Sequence, residues 1–276
     1  MDEPAEKAGL RNAWSRVAEA YEDLWSERTA RISARGLDML APAAGAEAVD
    51  VACGPGLTTV ALAERLGGGR VLGVDFSEAM VERAAARFGE VPGVRFAVDD
   101  AEHLSLPEGS ADVVSCSFGL MYCFDARAAM ASAARTLRPG GRMLQVVWGP
   151  APRVWWVPVI ELIETRAQYF SAVCPMMFFY GLPGVMPRMI QEAGLEAAEI
   201  VTVDDPMRFA DVDEAVDAAI HAFPLAGLYA SRLTPEAQAE VRSLLAAHIE
   251  RLAEPDAGGV ALPAEAVIAI ASRPDS

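Results

Sequence analysis

Eight residues, Val49-Asp50-Val51-Ala52-Cys53-Gly54-Pro55-Gly56, run from a short apolar segment into a glycine turn, and the helical pattern Leu57–Leu66 follows at once. Small residues at such a turn let the backbone approach a ligand closely. The helix behind it aims the positive end of its dipole and its free N–H groups at the same place. Asp50 adds a carboxylate beside that crevice. A dinucleotide fingerprint would need G-x-G-x-x-G, but the third position counted from Gly54 is Thr59. An amino-acid ligand without a pyrophosphate fits better, its ammonium meeting acidic groups and its carboxylate meeting backbone N–H donors.

The surrounding chain alternates in period. Strands are expected at 48–52, 70–74, 94–98, 112–117 and 142–148, and helices at 57–66, 77–88 and 126–137, with Ser77 as an N-cap. Gly67-Gly68-Gly69 and Pro139-Gly140-Gly141 punctuate. Residues 8–40 read as helical. Strands separated by helices imply right-handed crossovers and a mostly parallel sheet covered on both faces. Later, a strand is expected at 197–203, helices at 211–222 and 235–253, and a last strand at 266–271.

Two further acidic positions follow the expected strands. Asp75 ends the second, 19 positions after Gly56. An acid there can accept both hydroxyls of a ribose, in nicotinamide and adenosylmethionine enzymes alike. Phe76 either covers an adenine face or packs at the strand end. After the third strand, Asp99-Asp100-Ala101-Glu102 offers a carboxylate to an adenine amino group, which we assign to Asp100 over a merely solvated acidic turn.

With these stretches in view, the chain resembles the class I S-adenosylmethionine-dependent methyltransferases, in the group similar to ubiquinone and menaquinone biosynthesis methyltransferases. The resemblance is carried by Asp50 to Gly56, by Gly73-Val74-Asp75-Phe76-Ser77, by Asp100-Ala101-Glu102, by Ser117-Phe118-Gly119-Leu120 and by Leu137-Arg138-Pro139-Gly140-Gly141. It covers residues 46–148 well and the rest poorly. It implies a Rossmann-like α/β fold: a mostly parallel seven-stranded sheet with helices on both faces, N-terminal helices and a mainly helical cap. Residues 1–45 would be the N-terminal helical segment, 46–148 the cofactor-binding core, and 149–276 the cap insertions with the closing strands. It implies S-adenosyl-L-methionine as cofactor. Ala52, Cys53, Gly54 and Gly56 would line its methionine end with Asp50 beside them. Asp75 and Phe76, with Ser77 and Met80, would hold ribose and adenine, Asp100 and Ala101 would read the adenine edge, and Ser117 would lie near the methionine part. Tyr21 matches a tyrosine that closes over the cofactor in many relatives. Quinone-methylating relatives carry Arg-Asn after the Ser117 to Leu120 stretch, where this chain has Met121-Tyr122. That removes the polar pair expected beside a quinol ring and argues against a respiratory quinone.

The acceptor is expected under an apolar cap. Residues 150–185 hold Trp155, Trp156 and the run Met176-Met177-Phe178-Phe179-Tyr180, broken by Pro152, Pro158, Pro175 and Pro183. Prolines favour bends, and methionine and aromatic side chains line adaptable pockets. A small hydrophobic or aromatic metabolite follows, methylated on oxygen, nitrogen or carbon. The competing explanation for these residues is a dimer interface. Of three histidines, His221 is the candidate for a base near the acceptor, with Tyr122 as the second; His103 and His248 are read as surface residues. A protein that binds the cofactor without methylating stays open, because fold alone does not decide chemistry.

The formal net charge of −16 repels phosphate backbones and anionic lipid, so nucleic acid and membrane are not expected partners. A monomer or homodimer is expected. The first residues lack a basic region followed by an apolar run, so no signal peptide is read. Cys53, Cys116, Cys123 and Cys174 form no C-x-x-C pair and read as reduced thiols of a cytoplasmic protein; no metal site is expected.

Overall fold

The computed structural model describes residues 4–171 and 174–275, with all side chains among them except those of Cys174 and Pro175. The expectations for these two side chains therefore lie outside the description. Helix α1 (Ala5–Tyr21), a π-turn (Glu22–Ser26) and α2 (Glu27–Leu40) form the N-terminal helical arm. The π-turn was not anticipated, because a helical apolar pattern does not reveal one extra residue in a turn.

Next come β1 (Glu47–Val51), α3 (Leu57–Leu66), β2 (Arg70–Asp75), α4 (Glu78–Phe88), β3 (Val94–Val98), β4 (Ala111–Ser117), α5 (Ala126–Thr136) and β5 (Leu137–Trp148). The alternation is the expected one. Ser77 caps α4 by accepting from the N–H of Met80, and Asp125 caps α5 by accepting from Ala128; each such cap is worth about 1 kcal/mol. Strand β5 begins earlier than expected. Pro139-Gly140-Gly141 lies inside it, absorbed by a register shift opposite Ala111 and Val113.

The remainder supplies α6 (Pro158–Ala167), α7 (Val185–Glu192), β6 (Glu196–Asp204), β7 (Met207–Phe209), α8 (Val212–His221), α9 (Ala226–Arg232), α10 (Pro235–Leu252), β8 (Glu254–Asp256), β9 (Gly259–Leu262) and β10 (Glu265–Ser272). The main sheet has seven strands in the order β3-β2-β1-β4-β5-β10-β6, and β7-β9-β8 make a small second sheet. Only β10 runs against its neighbours in the main sheet. Chain direction reverses on either side of β1, between β2 and β4, so a crevice opens at the carboxyl ends of these strands.

The arm reaches that crevice because α2 packs closely on the sheet. A Cβ on Gly36 would stand 2.7 Å from Leu144 Cδ1, so any larger residue would have to push that side chain aside. The other anchor is aromatic. Trp25 stacks on Trp155 at 5.9 Å and meets Phe223 edge-on at 4.6 Å, while Trp156 stacks on Phe223 at 4.6 Å. All three indoles are fully buried, and truncating such a side chain to alanine costs about 3–5 kcal/mol. The arm, the segment after β5 and the loop after α8 are thereby locked together.

Candidate active site

At the end of β1 the backbone turns through Ala52 at φ 54° and Gly56 at φ 89°. A Cβ on Gly56 would stand 2.9 Å from Phe96 Cζ, so glycine is needed there for conformation and for space. At the end of β4, Phe118 also takes a left-handed conformation, φ 58°. Two non-glycine residues held this way, both lining one crevice, are the kind of backbone strain that collects at functional sites.

The crevice opens into a cavity of about 860 Å³. Its ends differ in chemistry. One is acidic: Asp75, Asp99, Asp100 and Glu102, with Phe76, Met80 and Ala101 between them. The other is aromatic: Trp14, Trp25, Phe118, Tyr122, Trp148 and Phe223. Asp75 accepts from the N–H groups of Gly54 (3.0 Å) and Ser77 (2.9 Å), one to each oxygen, which ties the glycine turn to β2. Each oxygen keeps a lone pair. Burial pushes its carboxyl up to about 6, against the pull of those two bonds.

At the far acidic end stands a residue that sequence reading missed. Lys7 of α1 reaches Asp100 Oδ2 at 2.6 Å and Glu102 Oε2 at 2.7 Å. Burial works against its charge, but the hydrogen bonds to Asp100 and Glu102 outweigh it and hold the ammonium above its ordinary range. Asp100 also accepts from the Glu102 N–H, and Glu102 from the Phe124 N–H. The available signal was spacing: Lys7, Trp14 and Tyr21 recur every seven residues on α1, and all three line the cavity. One helix face forms a wall along its whole length.

A second, polar cavity of about 370 Å³ adjoins the glycine turn. Asp50 lies there rather than in the larger cavity, with Cys53, and so does the hydroxyl face of α2. Asp50 faces Ser115 in the sheet register. It accepts from the hydroxyls of Ser115 and Thr59, both at 2.7 Å, and burial pushes it up to about 6. Burial likewise holds the Cys53 thiol well above its ordinary value, so it stays protonated. Tyr21, Thr29, Ala52, Gly54, Ser117 and Phe118 line both cavities, and Ser117 Oγ is buried with no hydrogen-bond partner among the described residues.

Several expected site residues stand elsewhere. Gly56 and Ser77 line neither cavity: the first packs on Phe96 and the second is spent as a cap. His221 is corrected out of the site. It ends α8 on the exposed surface, 3.8 Å from Asp217, because the buried face of that helix belongs to Ala215, Val216, Ala218 and Ala219. His248 points to the Trp155 carbonyl at 3.1 Å, and His103 is exposed. The wall expected from residues 150–185 is corrected too. Trp155 and Trp156 turn into the core, and among the described residues of the segment Trp156, Val159, Ile160 and Met177 line an adjoining void of about 240 Å³ rather than the main cavity. Tyr122 and Phe223 stand between that void and the main cavity.

Comparison with known proteins agrees with this architecture. Residues 48–141 match the methyltransferase domain family. A protein in transposon TN4556 of Streptomyces fradiae is 39% identical over 65% of this chain and 52% of its own length. Nocamycin O-methyltransferase of Saccharothrix syringae is 36% identical over 66% and 70%, and demethylmenaquinone methyltransferase of Clavibacter sepedonicus 32% over 56% and 58%. The chain thus spans between about half and 70% of these relatives. A crystal structure of a methyltransferase from Bacillus halodurans superposes with a TM-score of 0.61 at 18% identity, covering 88% of this chain and 98% of that one, and shows the same fold. This chain belongs to the class I S-adenosylmethionine-dependent methyltransferases.

Proposed function

We propose that the protein transfers a methyl group from S-adenosylmethionine to an oxygen, nitrogen or carbon nucleophile of a small, largely hydrophobic or aromatic metabolite. The observation that carries this reading is that one cavity is lined both by the carboxylates of Asp75, Asp99, Asp100 and Glu102 and by a cluster of aromatic rings, and that Ala52, Gly54 and Ser117 line it too. The residues present fit the cofactor. Ser117 Oγ is a buried hydroxyl in want of a partner, and Asp75 has lone pairs left for two ribose hydroxyls. Asp100 and Ala101 border the space for an adenine edge, with Phe76 and Met80 beside them.

Bound there, adenosylmethionine supplies an electrophilic methyl group on a sulfonium. The chain's own part is positioning. Trp14, Phe118, Trp148 and Phe223 hold a flat acceptor by contact and exclude water, and such positioning can supply several kcal/mol. No histidine lines the aromatic end among the described residues. Burial raises the Tyr21 phenol and holds the Cys123 thiol well above its ordinary value, so neither accepts a proton at neutral pH. Tyr122 borders the acceptor as an orienting ring. The acceptor accordingly brings a nucleophile that needs no strong base. We place the reaction in the cytoplasm, in a monomer or homodimer, consistent with the free thiols of Cys53, Cys116 and Cys123. No helix among the described residues is long and apolar enough to cross a membrane.

Transfer of labelled methyl from adenosylmethionine to a panel of flat phenols, amines and activated carbon acids tests the reading. Labelled product supports it. Tight cofactor binding with no transfer to any class favours binding without methylation, and tight NADH binding with no adenosylmethionine binding overturns the cofactor.

A further inference from the structure

Apolar space continues beyond the aromatic end of the main cavity. The adjoining void of about 240 Å³ is walled by Trp156, Val159 and Ile160 around the start of α6, by Met177, and by Pro224 and Leu225 ahead of α9. None of these side chains carries a charge. Trp156, Val159, Met177 and Leu225 are buried, so the void is interior.

Tyr122 and Phe223 belong to both spaces, and their rings form the partition. The Phe223 ring meets Trp25 at 4.6 Å and Trp14 at 6.5 Å, both of the main cavity, and Trp156 of the void at 4.6 Å. The Tyr122 ring meets Trp14 edge-on at 4.8 Å. Tyr122 ends a single 3-10 turn, Leu120–Tyr122, and Phe223 stands in the loop between α8 and α9. The partition therefore depends on two rings carried by short connections, and a rotamer change of either would join the spaces without moving the sheet.

The wall decides what fits behind that partition. A charged group there would lose its hydration and find no counter-charge. Aliphatic, methionine and aromatic side chains suit hydrocarbon and hold water poorly. The volume is below the roughly 300 Å³ at which separate ligand sites begin, so it suits one arm of a larger molecule.

We propose that this void is the far part of the acceptor site and takes a flexible hydrocarbon arm of the acceptor. The arm passes between Tyr122 and Phe223 while the flat, nucleophilic part stays at the aromatic end. The inference rests on the acceptor binding at that end, and it narrows the acceptor to a flat ring system bearing an uncharged alkyl chain.

Titration of the full chain, saturated with adenosylhomocysteine, against para- and meta-alkylphenols with chains from methyl to octyl tests it. Affinity should rise about three- to fourfold for each methylene that enters the void, then level off once the void is full. Ile160→Phe, which fills the void, should bring that plateau to shorter chains. Ile160→Ala, which enlarges it, should carry the plateau to longer ones. Leu225→Phe repeats the filling from the α9 side if Ile160→Phe does not fold. General damage would not move the plateau in opposite directions. A plateau at one length in all folded variants, affinities independent of chain length, or no binding of any alkylphenol overturns the inference. A crystal structure with para-hexylphenol gives a second reading: alkyl density beyond Tyr122 and Phe223 supports it, and a chain left outside the void overturns it. Adenosylhomocysteine binding is measured first. Tight cofactor binding with a flat length series removes only the role of the void, whereas no cofactor binding removes the methyl-transfer reading and this inference with it.

Discussion

The ammonium of Lys7 lies 2.6 Å from Asp100 Oδ2, joining the first turn of the N-terminal helix to a turn 93 residues away. The same nitrogen holds Glu102, whose side chain is 8% exposed. Removing the lysine would leave two neighbouring carboxylates without their counter-charge. Lys7→Met should therefore cost about 1–3 kcal/mol in urea unfolding. Amide exchange in the first turns of α1 should rise with it. Unchanged stability and unchanged exchange would show that the pair does not fasten the helix.

Asp75 serves the loop and the ligand at once. In Asp75→Asn one oxygen becomes an NH2 that faces a backbone N–H of Gly54 or Ser77, and the charge is lost. Adenosylhomocysteine binding should weaken by about 1.5–3 kcal/mol, with a lower melting temperature as the turn loosens. Unaltered affinity in a folded variant, checked by circular dichroism, would count against the ribose assignment.

Burial raises Asp50 and Asp75 to about 6 each, and the sign of the effect differs between stability and binding. A carboxyl raised on folding contributes stability that is complete below its unfolded pKa, near 4, and is lost as pH rises through about 6. Cofactor binding needs the ionised oxygens, so it weakens as pH falls through the same range. The rise in melting temperature produced by saturating adenosylhomocysteine should therefore shrink between pH 7.5 and pH 5. A thermal-shift series in matched buffers reads this directly, and a shift that grows on acidification would contradict the assignment.

His221→Ala should change little. The side chain is 47% exposed, and the carboxylate beside it, Asp217, is already bonded to Arg242 at 2.6 Å. Stability within about 0.5 kcal/mol of the wild type is expected, with methyl transfer within about twofold. A drop of a hundredfold or more would return this histidine to the site.

The core was legible because its signals are local. Val49 to Gly56 states a strand and a turn in consecutive residues with a helical pattern directly behind them, and Ser77 announces the helix it caps. The acidic ends of β2 and β3 were legible for the same reason. Lys7 was not, since its partners lie far along the chain and a lone lysine near a helix start reads as solvated. The hydroxyls of Ser26, Thr29 and Ser33 were hidden by the π-turn, which breaks the spacing that would align them with Tyr21. Trp155 and Trp156 misled in the other direction. Their residue type suits a pocket wall, but Trp25 and Phe223, distant in sequence, supply the surfaces that draw them into the core. Helices α6, α7 and α9 and the strands β7, β8 and β9 were missed because each is short and is stabilised by packing rather than by pattern.

All five tryptophans of the chain gather in one region. Trp25, Trp148, Trp155 and Trp156 lie within about 6 Å of one another in successive pairs, and Trp14 stands on the cavity wall. Excitation energy passes readily between indoles at such separations, so the cluster should emit as one blue-shifted fluorophore. Trp14, Trp25 and Trp148 border the place assigned to the acceptor. A flat aromatic molecule entering there would quench that shared emission, so the protein carries an intrinsic optical probe for its own acceptor, usable without any product assay.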